Sequence, residues 1–161
     1  MSTGNLIKCK RMDLLIEAFN KVFKGNCKIK LYIFGEGPER DRLKKMIKNL
    51  GLENQVFLMG LVDRKEIANR MSKSDCFVLA SRRETFGVAY IEAMAMGLPV
   101  IATRCGGPED FVMENNGIIV DVNDASELAN AMKNIYTNIN HYNRKVISDT
   151  TKDRFGYKTI A

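Results

Sequence analysis

No stretch of the 161 residues is rich enough in glycine, serine or proline to be a linker, and no repeat or internal boundary is visible. One domain is therefore expected, large enough to bury about two thirds of the surface its unfolded form exposes. Metal chemistry has little to build on. The four cysteines, Cys9, Cys27, Cys76 and Cys105, form no CxxC pair, and a lone histidine, His141, cannot complete a Cys/His zinc set. Reduced thiols, a cytoplasmic setting and no metal are the expectation. His141 lies among Asn138, Asn140 and Asn143 with no neighbouring acid or nucleophile, so a catalytic role is not assigned to it. Long apolar runs are missing too. The region from 88 to 102 contains Glu92, Gly97 and Pro99, which rules out a membrane span of about 20 residues. The net charge of +6 comes without a basic run of five or more and with little aromatic interleaving, which argues against nucleic acid as a partner.

What is present is alternation. Short apolar runs at residues 29–34, 56–58, 76–80, 100–102 and 118–120 are bounded by Gly, Asp or Ser and read as buried strands. Met1, Ser2 and Thr3 read as the end of a first strand, so the chain is expected to begin inside a larger protein. Helical patterns lie between the strands. Met12, Leu15, Ile16, Phe19 and Val22 share one face of the first helix, and Leu43, Met46, Ile47 and Leu50 mark the second, opened by Pro38 and closed by Gly51. Asp63 is suited to cap the third, Glu84 and Thr85 precede the fourth, Pro108 opens a short fifth, and Asp124 caps the sixth. The Asn-rich segment 134–143 breaks that helix before another begins at Arg144.

This pattern predicts an α/β, Rossmann-like, doubly wound parallel sheet of about six strands with helices on both faces. With strand order 3-2-1-4-5-6, the crevice at the order reversal lies between the loop at residues 4–10 and the loop at residues 81–87. A ligand is expected where Lys10 and Glu84 face each other. Glu92 lies in a helix among Val88, Ala89, Ile91, Ala93, Ala95 and Met96, so its carboxylate is expected to point from an apolar helix into that crevice, where ribose hydroxyls would supply its donors. Gly87 permits close backbone approach, and the N–H groups of Phe86, Gly87 and Val88 form an anion site at the helix start. The alternative is that Glu84 complements the helix dipole and Glu92 pairs with a cation from another element. Gly35-Glu-Gly-Pro38 and Gly106-Gly-Pro-Glu109 each fit either a tight strand-to-helix connection or a ligand contact.

The ordered series Ser81-Arg-Arg-Glu-Thr-Phe-Gly-Val-Ala-Tyr-Ile-Glu-Ala-Met-Ala-Met-Gly-Leu-Pro-Val-Ile-Ala-Thr103 with Gly106-Gly-Pro-Glu109 resembles the C-terminal domain of GT-B-fold retaining glycosyltransferases of the family-4, or group 1, type. Upstream, Leu14-Leu-Ile-Glu-Ala-Phe19, Gly35-Glu-Gly-Pro-Glu-Arg40 and Phe57-Leu-Met-Gly60 extend the likeness, which spans roughly residues 4–123. Residues 155–161 resemble the family's approach to its last helix.

The resemblance implies transfer of a hexosyl group from a UDP- or GDP-linked sugar to a glycan or glycolipid hydroxyl, with retention and no required cofactor or metal. By the same likeness Glu84 and Lys10 are the catalytic pair: Glu84 holds hexose hydroxyls and Lys10 neutralises the diphosphate. Glu92 holds the ribose. The loop at Leu61, Val62 and Asp63 carries the base, and Gly4, Asn5, Phe86, Gly87 and Val88 complete the donor site. Asn5 stands where the family commonly has arginine, which removes one positive charge, with Lys8, Arg11 or Arg82 as possible replacements. Arg11 stands where the family often has glycine. Residues 1–161 would form one donor-binding domain truncated at both ends and inactive alone, its partner being an absent N-terminal acceptor domain. The complete enzyme would be cytoplasmic, working in polysaccharide biosynthesis with peripheral contact to the inner membrane face. A non-catalytic nucleotide-sugar-binding module and half of a GT-B-fold sugar-nucleotide epimerase are the alternatives.

Overall fold

The computed structural model describes residues 1–156. Of the expected last segment, residues 157–161 lie outside the described residues. Six short strands form where the apolar runs predict them: β1 (Ser2–Thr3), β2 (Leu31–Phe34), β3 (Val56–Gly60), β4 (Phe77–Leu79), β5 (Val100–Thr103) and β6 (Gly117–Val120). All pair in parallel, as two three-stranded sheets ordered β1-β2-β3 and β4-β5-β6. Met1 joins them, since its carbonyl accepts from Val78 N–H at 2.9 Å and its ammonium donates to the Cys76 carbonyl at 2.7 Å. The line across the molecule is thus 3-2-1-4-5-6, with the order reversal between β1 and β4. Every side chain of β4 and β5 is buried, as expected of central parallel strands covered on both faces.

Helices α1 (Met12–Phe23), α2 (Arg40–Asn49), α3 (Arg64–Ser72), α4 (Val88–Ala95), α5 (Ala125–Thr137) and α6 (Arg144–Phe155) connect and cover the strands. Helix α1 packs against α2 and α5, whereas α4 packs against α3 and α6. The apolar positions of α1 explain its placement: Met12, Leu15, Ile16 and Phe19 are buried on one face, and burial at about 25 cal/mol per Å² fixes that face inward. Caps set several helix starts. Asp124 accepts from Ser126 N–H and Glu127 N–H at α5, and Asn143 accepts from Lys145 N–H and Val146 N–H at α6. The Asn-rich segment thus ends one helix and caps the next.

Both prolines expected to open α-helices sit differently. Pro38 lies in the turn before α2, because the Glu39 N–H is taken by the Leu6 carbonyl at 3.0 Å and the helix begins only at Arg40. Pro108 lies in a 3-10 turn, Gly107–Asp110, closed by Phe111 N–H donating to the Pro108 carbonyl, so no α-helix follows β5. Strand β2 starts at Leu31 and not at 29, since Ile29 N–H closes a turn on the Asn26 carbonyl. No helix among the described residues is long and apolar enough to cross a membrane.

Candidate functional site

Two loops meet at the order reversal. The first leaves β1 at Gly4 and is held down by the Gly35-Glu-Gly-Pro38 turn: Gly4 N–H donates to the Phe34 carbonyl, Leu6 N–H to the Glu36 carbonyl, and Glu39 N–H returns to Leu6. A Cβ on Gly35 would stand 2.0 Å from the Gly4 carbonyl oxygen, so the turn contacts backbone, and that contact accounts for its glycine. A short 3-10 turn, Lys8–Lys10, then presents Lys10. It ends at Arg11, whose φ of 48° is left-handed and opens α1. That conformation is the physical reason a glycine suits this position.

The second loop leaves β4 at Ala80 and is zipped to the loop after β5. Glu84 N–H donates to the Cys105 carbonyl, and Gly107 N–H donates to the Glu84 carbonyl. A Cβ on Gly106 would lie 2.7 Å from the Glu84 oxygen, and one on Gly107 would lie 2.6 Å from the Phe86 backbone. This second glycine pair therefore also serves loop-to-loop approach. Between the loops, Lys10 Nζ donates to Glu84 Oε1 at 2.6 Å, and Ser81 Oγ donates to the same oxygen at 2.6 Å. Both side chains are partly buried, 23% exposed for Lys10 and 12% for Glu84, so the pair is screened less than a surface one. Among the described residues Glu84 Oε2 has no partner, and Lys10 spends one of its ammonium protons here. The site can thus still accept from a hydroxyl and donate to an anion.

Helix α4 begins immediately after this loop. Gly87 precedes it at φ 83°, with no side-chain cap, and among the described residues the N–H groups of Phe86, Gly87 and Val88 donate to nothing. Three open amides at a helix start form an anion cradle reinforced by the helix dipole. A Cβ on Gly87 would stand 2.9 Å from Tyr90 Cδ2, so the glycine is required by packing as well as by φ. Tyr90 is buried and donates to the Leu79 carbonyl at 2.9 Å. Burial foremost, then the nearby Cys105 and Glu84, pushes its phenol well above the ordinary range, which keeps it a neutral donor under the site.

Glu92 does not enter a crevice between apolar neighbours. It is exposed, with Arg64 Nη2 3.8 Å from its Oε1 and that arginine 93% exposed. The apolar residues of α4 that face inward are Tyr90, Ala93 and Met94. Glu92 instead follows Val88 by four residues, one helical turn along the same exposed stripe, where water serves as donor and no buried partner is needed. Leu61 and Val62 are exposed at the loop after β3, and Asp63 is a helix cap whose Oδ1 accepts from Glu66 N–H at 2.7 Å. Asp63→Ala is expected to cost about 1 kcal/mol of stability, restored by Asp63→Ser, because either side chain caps the helix. Thermal melts of both variants check this, and equal stability of Asp63→Ala and the native chain would contradict it.

Asn5 is exposed at the mouth of the first loop. Of the cations considered as substitutes for the missing charge there, Arg11 and Arg82 both donate to Asn123 Oδ1, Arg82 through Nε at 3.0 Å, while Lys8 is exposed. Asn123 ties the loops after β1, β4 and β6 together and was not among the residues singled out from sequence. Its signal was its type: an asparagine before a cap, at a left-handed φ of 62°. Among the described residues no group of three or more His, Cys, Asp or Glu could hold a metal ion. A cavity of about 610 Å³, lined by Phe19, Phe23, Ile29, Tyr32, Cys76 and Tyr136 among others, lies at the opposite ends of β2 and β4 and includes none of these site residues.

A profile of the family described as Glycosyl transferases group 1 matches residues 1–152. The N-acetyl-alpha-D-glucosaminyl L-malate synthase of Bacillus anthracis is 35% identical over 127 residues, covering 78% of this chain and 32% of that protein. The lipopolysaccharide core biosynthesis glycosyltransferase LpsE of Rhizobium meliloti is 35% identical over 136 residues, 84% of this chain and 38% of that one. The chain thus spans about a third of the length of these curated relatives. Among solved structures, Anabaena Alr3699/HepE in complex with UDP superposes with a TM-score of 0.86 at 27% identity, over 99% of this chain and 45% of that one. The sucrose-phosphate synthase of Thermosynechococcus elongatus superposes with a TM-score of 0.88 at 28% identity, over 99% and 42%. Family profile, sequence relatives and shared fold agree with the ordered motifs around Lys10 and Glu84, and the chain belongs to the group 1 glycosyltransferases.

Proposed function

We propose that the chain is the donor-nucleotide half of a two-domain retaining glycosyltransferase that moves a hexosyl group from a nucleoside-diphosphate sugar to a glycan or glycolipid hydroxyl. The observation that carries this reading is the Lys10–Glu84 pair at 2.6 Å beside the three open amides of Phe86–Val88. A cation and an anion cradle take the diphosphate, and the carboxylate beside them takes the sugar's hydroxyls. As the bond from the anomeric carbon to the phosphate oxygen breaks, its electron pair leaves with the diphosphate. Lys10 and the amides stabilise that growing negative charge more than the ground state, which lowers the barrier. Glu84 accepts hydrogen bonds from the hexose and is not the general base.

Glu92, one turn beyond Val88, reaches the ribose, and Leu61, Val62 and Asp63 border the base. Gly4 and Asn5 lie beside the diphosphate, where Asn5 adds a hydrogen bond without charge. The acceptor side belongs to a second domain, which the greater length of the relatives supports, since the match covers 32% and 38% of them. This chain then binds donor weakly and transfers nothing by itself. The complete enzyme works in the cytoplasm against the membrane face. The Anabaena neighbour, solved with UDP and with UDP-glucose, supports a uridine donor.

Calorimetric titration with UDP, GDP and ADP tests the reading. The native chain is expected to bind one of them in the millimolar range or tighter, and Glu92→Ala to weaken that binding about tenfold, since hydrogen bonds to an exposed carboxylate contribute about 1.4 kcal/mol. Indifference of the native chain to all three nucleotides would remove the reading.

A further inference from the structure

Helix α6 runs antiparallel along α4, the helix whose N-terminus forms the amide cradle. Its first turn lies at the C-terminal end of α4, where Arg144 donates to the Met96 carbonyl, and Ser148 Oγ donates to the Ala95 carbonyl at 2.6 Å. Its last residue, Phe155, reaches the opposite end. There the Phe155 ring stands edge-on to Phe86 at 6.0 Å and edge-on to Phe111 at 5.8 Å, while Phe86 and Phe111 are 6.4 Å apart. Arg154 anchors the same end, donating from Nη2 to the Asp110 carbonyl at 2.9 Å and lying over the Phe155 ring.

This cluster matters because of what the backbone beside it lacks. Glu84 is zipped to the loop after β5, and Gly87 begins the hydrogen-bonded turn of α4. Between them, among the described residues, the backbone groups of Thr85 and Phe86 have no hydrogen-bond partner. Phe86 is held by contact alone, its backbone against Gly107 and its ring, half exposed, against Phe111 and Phe155. Its N–H is the first of the three amides of the cradle. Phe111 is buried and itself rests against Tyr90, so it belongs to the core, whereas Phe155 comes from the end of α6 and is the removable member.

We infer that Phe155 is a positioning residue: by packing on Phe86 it sets the Phe86–Val88 amides, and so couples the seat of α6 to diphosphate binding. The inference rests on the donor reading above. Any displacement of α6 along α4 moves Phe155 off Phe86 and loosens the anion site without touching Lys10 or Glu84.

The test titrates UDP into the 161-residue chain and records amide spectra without nucleotide, for the native protein, Phe155→Ala, Phe155→Tyr and Ile147→Val. Phe155→Ala is expected to weaken UDP binding about tenfold through loss of two edge-on ring contacts and to shift the Phe86, Gly87 and Val88 amide resonances. Phe155→Tyr restores both. Ile147→Val, in the buried face of the same helix, lowers the melting temperature and changes neither. Should Phe155→Ala not fold, Phe155→Leu takes its place with the same expectation. Native affinity and unmoved amides in the alanine or leucine variant would overturn the inference, as would equal weakening by Ile147→Val. If the native chain ignores UDP, the titration is repeated with GDP and ADP; silence to all three fails the donor reading, and the nucleotide-free spectra still decide whether Phe155 holds the cradle.

Discussion

Lys10→Ala is expected to reduce turnover of the complete enzyme by about two to three orders of magnitude, the range seen when one preorganised donor is removed from a developing oxyanion. The chain should still fold. Glu84 keeps its hydrogen bond from Ser81 Oγ, so the stability loss is about 1.5–3 kcal/mol, that of one hydrogen bond to a charged group. The discriminating measurement is the single-turnover rate at saturating donor. A drop of less than about tenfold there, with the loss confined to KM, would mean that Lys10 binds donor and transition state equally and contributes nothing to the chemical step.

The second large effect concerns Glu84. Glu84→Gln keeps the volume, removes the charge and leaves Lys10 without its carboxylate. Sugar transfer is expected to fall about a hundredfold, because a donor sugar held in the wrong orientation loses that much even for a displacement near 1 Å. Affinity for UDP without a sugar should hold or rise, since Lys10 no longer divides its charge between Glu84 and the phosphates. Opposite responses of UDP and the UDP-sugar are the signature of a carboxylate that reads the sugar. If both affinities fall together, Glu84 serves only to hold Lys10 in place, and the assignment of the hexose to it is lost.

The two expectations rest on different bonds of one small cluster, so they are not independent. Lys10 and Ser81 share a single oxygen of Glu84, and the double variant should lose less than the sum of the single losses. The same sharing leaves Oε2 as the acceptor that a hydroxyl of the donor would meet.

Much of this arrangement was legible in one dimension. Asp63 and Asp124 read as caps because a carboxylate before an apolar periodic run satisfies open helix amides, and both do so. The Asn-rich break before Arg144 is present but shorter than read, since the helix continues to Thr137 and Asn143 caps the next one. Glu92 did not read correctly. Apolar neighbours on both sides suggested burial, but neighbours in sequence point around a helix in all directions, and Glu92 lies on the stripe of Val88 and not on that of Tyr90, Ala93 and Met94. The glycine pairs were ambiguous for a related reason: a residue without a Cβ admits a ligand or another backbone equally well. Only the positions of Gly4 and Glu84 opposite them show that backbone fills the space.

The alternation of apolar runs and capped helices determined the parallel α/β class and the succession of its elements, because periodicity and capping are local and each segment carries its own, whereas the strand order was an assumption that the structure bears out. That Lys10 and Glu84, 74 positions apart, face each other across the order reversal was expected from the sequence, but their direct bond on one oxygen shared with Ser81 was decided by the tertiary structure. Asn123 gathers Arg11 and Arg82 from two other loops, and Phe155 reaches Phe86 from α6. Contacts of that range depend on how far each strand and helix runs before the chain turns, and no single segment encodes them.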